Sequence, residues 1–222
     1  MRLESVSKSY LHRGRTVAAL DNASLEIAAG DFVAVVGPSG SGKSTLLLVL
    51  GGMLSPSTGK VHLNGHSLYE LSPNQRAELR RQKIGFVFQT FNLVPYLTAL
   101  ENVQIPLFLA GLDEACQKQR AAALLERVGL GDRLDHKPAE LSIGQQQRVA
   151  LARVMANDPE IILADEPTGN LDPDTGQQIL DLLAELNREG RTVVMVTHDT
   201  RAAARAKRTL RLHDGRISSA SS

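Results

Sequence analysis

The octapeptide GPSGSGKS, Gly37 to Ser44, closes an apolar run (DFVAVVG) and opens a stretch that turns helical (KSTLLLVLGGM). It fits G-x-x-x-x-G-K-[ST] between a predicted strand and a predicted helix. Gly37, Gly40 and Gly42 let the backbone curl so that successive N–H groups point inward at phosphate oxygens, with Ser39 counted in the same loop. Lys43 is placed to reach β- and γ-phosphates, and the Ser44 hydroxyl to ligate Mg²⁺. The helix dipole adds positive potential. The alternative is a tight strand-to-helix turn with no ligand. The strand–loop–helix context weighs against it.

Such a loop demands a parallel sheet around it, and the chain supplies one. IGFVFQ, EIILAD and RTVVMVTH are further continuous apolar runs, as expected of strands buried on both faces. Before them, RLESVSKSY, ASLEIAAG and GKVHLNG carry alternation or a glycine stop and read as antiparallel strands. Pro73 to Gln82 reads as a short helix. Thr98 and Glu101 have capping-box spacing and open a helical stretch expected to end before Pro106. Asp113 to Val128 is rich in helix formers. Thr175 to Glu189 is amphipathic, with Ile179, Leu182, Leu183 and Leu186 on one face and Gly190 as its stop. TLRLHDGRIS reads as a hairpin turning at Asp214-Gly215. The tail, SSASS, reads as disordered. The fold class is therefore α/β: a mostly parallel sheet, an N-terminal antiparallel subdomain and an inserted helical subdomain. One domain spans 1–222, with residues 1–89 and 156–222 as one lobe and about 90–155 as the helical lobe.

Three strand ends carry chemistry. IILADE finishes in two acids, where side chains open into the crevice at the carboxyl ends of strands. Asp165 suits a water-mediated hold on Mg²⁺, and Glu166 suits a general base for water. Alone, the pair reads as an N-cap and a loop charge. His198 ends VVMVTH on the same edge and either donates to a γ-phosphate or is a solvated loop histidine. Gln89 ends IGFVFQ and offers its carbonyl to Mg²⁺ or its amide to water, or lies in a surface loop. The histidines at 12, 62, 66, 136 and 213 show no metal-ligand spacing.

A second anion site is hinted at by LSIGQQQR, Leu141 to Arg148. Ser142 and Gln145 have capping-box spacing, which places the N–H groups of Ile143, Gly144 and Gln145 at a helix N-terminus. Hydrophobic residues make up 42%, charged residues 22%, and net charge is +1 with no long basic block. Nucleic acid is disfavoured as the main ligand. The single Cys116 fits a reducing compartment. The N-terminus lacks an apolar signal core, and LLLVLGGML is too short to span a bilayer. The chain reads as cytoplasmic.

Together GPSGSGKST, FVFQ, LSIGQQQR, IILADEP, TGNLD and VTHD resemble, in order, the motifs of the ATP-binding-cassette (ABC) transporter ATPases. The resemblance implies ATP and Mg²⁺ as ligands and a head-to-tail dimer with a second copy. Each ATP would lie between one chain's phosphate loop and the other's octet. By position it makes Lys43, Ser44 and Thr45 phosphate and Mg²⁺ ligands. Gln89 becomes a γ-phosphate sensor coupled to a membrane partner, Glu166 the catalytic base and His198 a switch histidine. Ser142, Gly144 and Gln145 become the γ-phosphate clamp, and Asp172 part of a loop crossing between subunits. Tyr10 takes the place of an adenine-stacking ring, or is an ordinary strand-end tyrosine. The family usually has glycine where this chain has Ile143. The clamp is expected to work regardless, with the close backbone approach resting on Gly144.

FVFQTFNLVPYLTALENVQIPL with ADEPTGNLD looks most like the lipoprotein-releasing and macrolide-export (LolD/MacB-type) branch, near the cell-division (FtsE-type) proteins. That implies an integral membrane permease as partner and a peripheral place on the inner face of the membrane. Phe91, Leu93, Val94 and Tyr96 then read as a groove for a permease helix, or as local core. The end of the chain soon after Asp214-Gly215 leaves no room for a C-terminal regulatory domain. The alternatives are an ATP-dependent signalling subunit of the cell-division (FtsE) type and, as another class, a soluble ABC ATPase of DNA repair or translation. Its usual coiled-coil insertion or second cassette is absent from the sequence.

Overall fold

The computed structural model describes residues 1–12 and 14–219. Two sheets organise it. The first is antiparallel: β1 (Arg2–His12), β2 (Arg15–Glu26), β4 (Thr58–Leu63) and β5 (His66–Ser67), ordered β2-β1-β4-β5. The second holds β3 (Phe32–Val36), β6 (Ile84–Val87), β7 (Ile161–Asp165), β8 (Thr192–Thr197), β9 (Arg208–His213) and β10 (Arg216–Ser219), ordered β10-β9-β3-β8-β7-β6. Only β10 runs antiparallel in it. Its turn uses positive φ at both Asp214 (47°) and Gly215 (75°), as a two-residue hairpin requires. The disordered tail expected at Ser218 and Ser219 is corrected, because these residues pair with Arg211 and Leu210. Residues 220–222 of that tail lie outside the described residues.

The continuous apolar runs are explained by a core on each face. Phe32, Ala34, Ile162, Ala164, Val193 and Met195 point to one face. Their neighbours Val33, Val35, Ile161, Leu163, Val194 and Val196 point to the other. Period-two alternation is hidden because both faces are buried. The helix α1 (Lys43–Leu50) fills the second face. The first is covered by α5 (Ile143–Met155) and α6 (Pro173–Arg188). Helix α2 (Pro73–Lys83) starts in a Ser72–Gln75 capping box. The remaining helices are α3 (Ala99–Leu109), α4 (Glu114–Arg127) and the single turn α7 (Thr200–Ala203). The core of the α3–α4–α5 group is continuous with the Phe32 face of the sheet.

Two helix boundaries differ from expectation. Helix α3 does not stop before Pro106 but runs through it to Leu109. An interior proline costs about 3 kcal/mol. Burial of Leu100, Val103 and Leu107 on the core outweighs it. Helix α6 begins at Pro173 because the Asp172 carboxylate accepts from the Thr175 N–H at 3.0 Å. On its buried face Leu180 sits beside Ile179, Leu183 and Leu186, whereas Leu182 is only partly buried.

Candidate functional site

The parallel register brings the carboxyl ends of β3, β6, β7 and β8 to one edge, with β8 between β3 and β7. The phosphate loop leaves β3 there, wedged between strands of both sheets. A β-carbon on Gly37 would lie 2.1 Å from the Leu212 carbonyl oxygen, and one on Gly42 (φ 101°) 2.0 Å from that of Ala19. Packing therefore demands glycine at both positions. Gly40 (φ 80°) faces open space, and Ser39 is exposed. Lys43 is buried, and its Nζ donates to the carbonyls of Gly37 (2.8 Å) and Pro38 (3.0 Å). The ammonium is thus held inside the loop. Gly42 begins α1 without a side-chain cap, so the first N–H groups of α1 stay free for an anion. The Ser41 hydroxyl is buried with no partner. Ser44 is exposed and Thr45 half-buried beside it.

The Ser44 hydroxyl stands near enough to Asp165 to draw its carboxyl down. Burial pushes the Asp165 carboxyl above its usual range, against the pull of Ser44 and of Lys43, while Glu166 adds to the rise. Two adjoining hard oxygens, one anionic, beside an uncapped helix start fit Mg²⁺ with a phosphate as co-ligand.

Glu166 follows in a left-handed conformation (φ 46°). Its N–H donates to the Val196 carbonyl (3.0 Å), and its own carbonyl accepts from the Gly169 N–H (3.0 Å). Its Oε2 lies 2.9 Å from His198 Nδ1 and 3.3 Å from the His198 N–H. Glu166 is largely buried while the His198 ring is exposed. His198, expected as a phosphate donor, is joined through Nδ1 to the acid, and its ring stays exposed. Gln89 closes the group. Its carbonyl accepts from Asn170 Nδ2 (3.1 Å), and its amide lies so near Gly169 that a β-carbon there would come within 2.9 Å. A cleft of about 360 Å³, bordered by Glu166, Gly169, Asp172, Gln177, His198 and Arg201, opens beside this group.

The LSIGQQQR octet stands apart from the phosphate loop. Among the described residues no hydrogen bond joins Ser142, Gly144 or Gln145 to it. The capping box is formed: Ser142 Oγ accepts from the Gln145 N–H (3.2 Å), and Gln145 Oε1 accepts from the Ser142 N–H (2.9 Å). The Gln145 N–H is thereby used up, so two free N–H groups remain of the three expected. Gly144 carries a packing constraint that was not expected. A β-carbon there would lie 2.2 Å from Thr175 Cγ2, so the missing side chain also makes room for α6 of the same chain. Ile143 is 53% exposed. Tyr10, exposed on β1, carries Lys8 Nζ 5.4 Å from its ring centroid, so a cation already occupies one face.

The apolar group after Gln89 divides. Leu93 packs on the core, whereas Tyr96 is 73% exposed. Three side chains that sequence reasoning passed over govern this region. Buried Asn102 binds the N–H of Val94 and the carbonyls of Val94, Leu97 and Thr98. Arg153 on α5 donates at 2.7 Å to the carbonyls of both Phe91 and Asn92, each at positive φ. Gln147 on α5 donates from Nε2 to the Pro167 carbonyl at 2.8 Å. A polar residue on the buried face of an otherwise apolar helix is the signal that marks Asn102 and Gln147.

Residues 20–169 match the family model described as ABC transporter. Over 217 residues the chain is 51% identical to an uncharacterized ABC transporter ATP-binding protein of Thermotoga maritima, covering 98% of this chain and 93% of that protein. It is 49% identical to the macrolide export ATP-binding/permease protein MacB of Hyphomonas neptunium and 50% to that of Escherichia coli, again over 98% of this chain. It spans about a third (34%) of the length of these MacB relatives. A dimeric ATP-binding cassette solved in a post-hydrolysis state with ADP and Pi superposes with a TM-score of 0.92 at 43% identity, covering 100% of this chain and 99% of that one. A dimeric bacterial ABC transporter cassette gives 0.91 at 46%, covering 97% and 95%. Among the described residues no helix is long and apolar enough to cross a membrane.

Proposed function

The chain belongs to the ABC transporter family, and from that premise we propose that it binds and hydrolyses ATP as the motor subunit of a transporter. Two copies would pair head to tail around two nucleotides and drive an integral membrane permease. The observation that carries the reading is the alignment of Lys43, Ser44–Asp165 and Glu166–His198 along one sheet edge. Lys43 and the free N–H groups of α1 hold the phosphates. When bound, Mg²⁺ on Ser44 and Asp165, with Gln89 alongside, supplies charge neutralisation at the phosphates. Glu166 takes the proton of the attacking water, and His198 orients the same carboxylate. Tyr10 supports the adenine ring by stacking. The partner copy's Ser142–Gly144 turn closes over the γ-phosphate, with Gln145 holding that turn in shape and Asp172 at the crossing loop. Residues 1–89 and 156–222 form the nucleotide lobe and about 90–155 the helical lobe.

The MacB relatives, named as combined ATP-binding and permease proteins, support export of macrolides or peptides, or release of lipoproteins, as the work done. The subunit would then sit on the inner membrane face through its permease. Removing the base in Glu166→Gln should cut hydrolysis by about 10² to 10⁴ while sparing nucleotide contacts. ATP then accumulates in a closed dimer, visible by gel filtration with Mg-ATP. A monomer with ATP demonstrably bound overturns the paired arrangement.

A further inference from the structure

We infer that Gln147 is a positioning residue for Glu166, which ties the helix bearing the LSIGQQQR octet to the catalytic loop of its own chain; this rests on the ATPase reading. Among the buried residues of α5, namely Gly144, Gln147, Val149, Ala150, Leu151, Ala152 and Met155, Gln147 carries the single polar side chain. It is fully buried. Its Nε2 donates to the Pro167 carbonyl at 2.8 Å, and its Oε1 has no partner among the described residues. A side chain serving packing alone would be methionine or leucine, which fill the same space without an unpaired acceptor.

What the amide holds is the residue after Glu166. Glu166 is non-glycine, at φ 46°, and precedes a proline, which biases it towards extended backbone. Such a conformation persists only where its surroundings fix it. Three hydrogen bonds do so. The Glu166 N–H donates to Val196 of the sheet, and the Gly169 N–H donates back within the loop. The third comes from Gln147, the one side chain of α5 that bonds this loop among the described residues. Ser142 to Gly144 lie one turn earlier on the same rigid helix. A shift of α5 as the octet grips a phosphate therefore carries the Pro167 carbonyl with it, and so turns Glu166. In the head-to-tail pair the octet serves the partner's nucleotide. Gln147 thus makes the base of one site responsive to occupancy of the other.

Gln147→Met keeps length and burial but removes the donor, and Gln147→Leu repeats the test if methionine packs badly. Steady-state ATPase should show kcat lowered at least tenfold, KM for ATP within twofold of native, and a Hill coefficient falling towards 1. Placed in a Glu166→Gln background, Gln147→Met should still dimerise with Mg-ATP. Mixed dimers separate the two roles. With Glu166→Gln silencing one chain, Gln147→Met on the chain that keeps its glutamate should be at least tenfold slower than Gln147→Met on the silenced chain. The inference is overturned by a homodimer rate within twofold of native. Equal rates in the two mixed arrangements overturn it too, as does loss of the dimer where Glu166→Gln alone dimerises, which would assign Gln147 to the phosphate clamp. If Glu166→Gln alone stays monomeric with ATP bound, the paired reading fails, and the kcat–KM comparison still decides the role of Gln147.

Discussion

Asp165 is set against its own environment. Burial raises its carboxyl above the usual range, and the neighbouring Glu166 adds to this. The native state therefore binds this proton more readily than the unfolded chain. The associated stability is present below the ordinary carboxyl range and is lost as pH rises through the raised value. At neutral pH the ionised group is a liability until a cation meets it. Asp165→Asn should raise Tm of the protein without nucleotide or Mg²⁺ at pH 7, with the gain shrinking towards pH 4. Thermal unfolding at both values checks it. A lower Tm at pH 7 would mean that the pull of Ser44 and Lys43 outweighs the desolvation. Lys43 and Ser44 were legible in the sequence from the spacing of the glycine-rich loop, and Asp165 and Glu166 because they finish an apolar strand. The contact of Glu166 with His198 was not, because it spans 32 residues of chain.

Helices show the same division between local and distant causes. Both predicted capping residues, Thr98 and Ser142, take up their positions, since a cap is satisfied within four residues. The meaning of Gly144 lay out of reach because Thr175 comes from another helix. The structure makes that contact a test. Gly144→Ala forces a methyl into the Thr175 side chain and should cost about 1–3 kcal/mol of stability. Thr175→Ser removes Cγ2, the atom met at 2.2 Å, and should restore much of the loss in the double variant while changing little alone. Denaturant unfolding of the four proteins measures the coupling. Additive effects would show that α5 and α6 do not meet there as described. Pro106 failed as a stop signal for a related reason: propensity is local, whereas the burial of Leu107 that overrides it is tertiary.

For the molecule as a whole, the mostly parallel sheet follows from the apolar strands, but which residues after Gln89 stay on the surface had to be seen. The sequence left Leu93 and Tyr96 equal claimants to the core. The structure gives Leu93 to the core and leaves Tyr96 in solvent, on a loop pinned by Asn102 and Arg153. Tyr96→Asp should therefore leave Tm nearly unchanged, as a surface substitution does within about 0.5 kcal/mol. Basal ATP hydrolysis should persist, while co-purification with the permease is lost. A drop in Tm together with basal activity would make Tyr96 part of the core.

The place of β3 in the sheet also sets a timetable. Of its two neighbours, β9 arrives about 170 residues later in the chain and β8 about 155. At a usual ~5–20 residues per second of synthesis, that interval is roughly 8 to 30 s. During it the strand that leads into the phosphate loop emerges with two unsatisfied edges and two greasy faces. A truncated or stalled chain ending before β8 leaves FVAVV without its partners, an edge open to aggregation until the last strands are made.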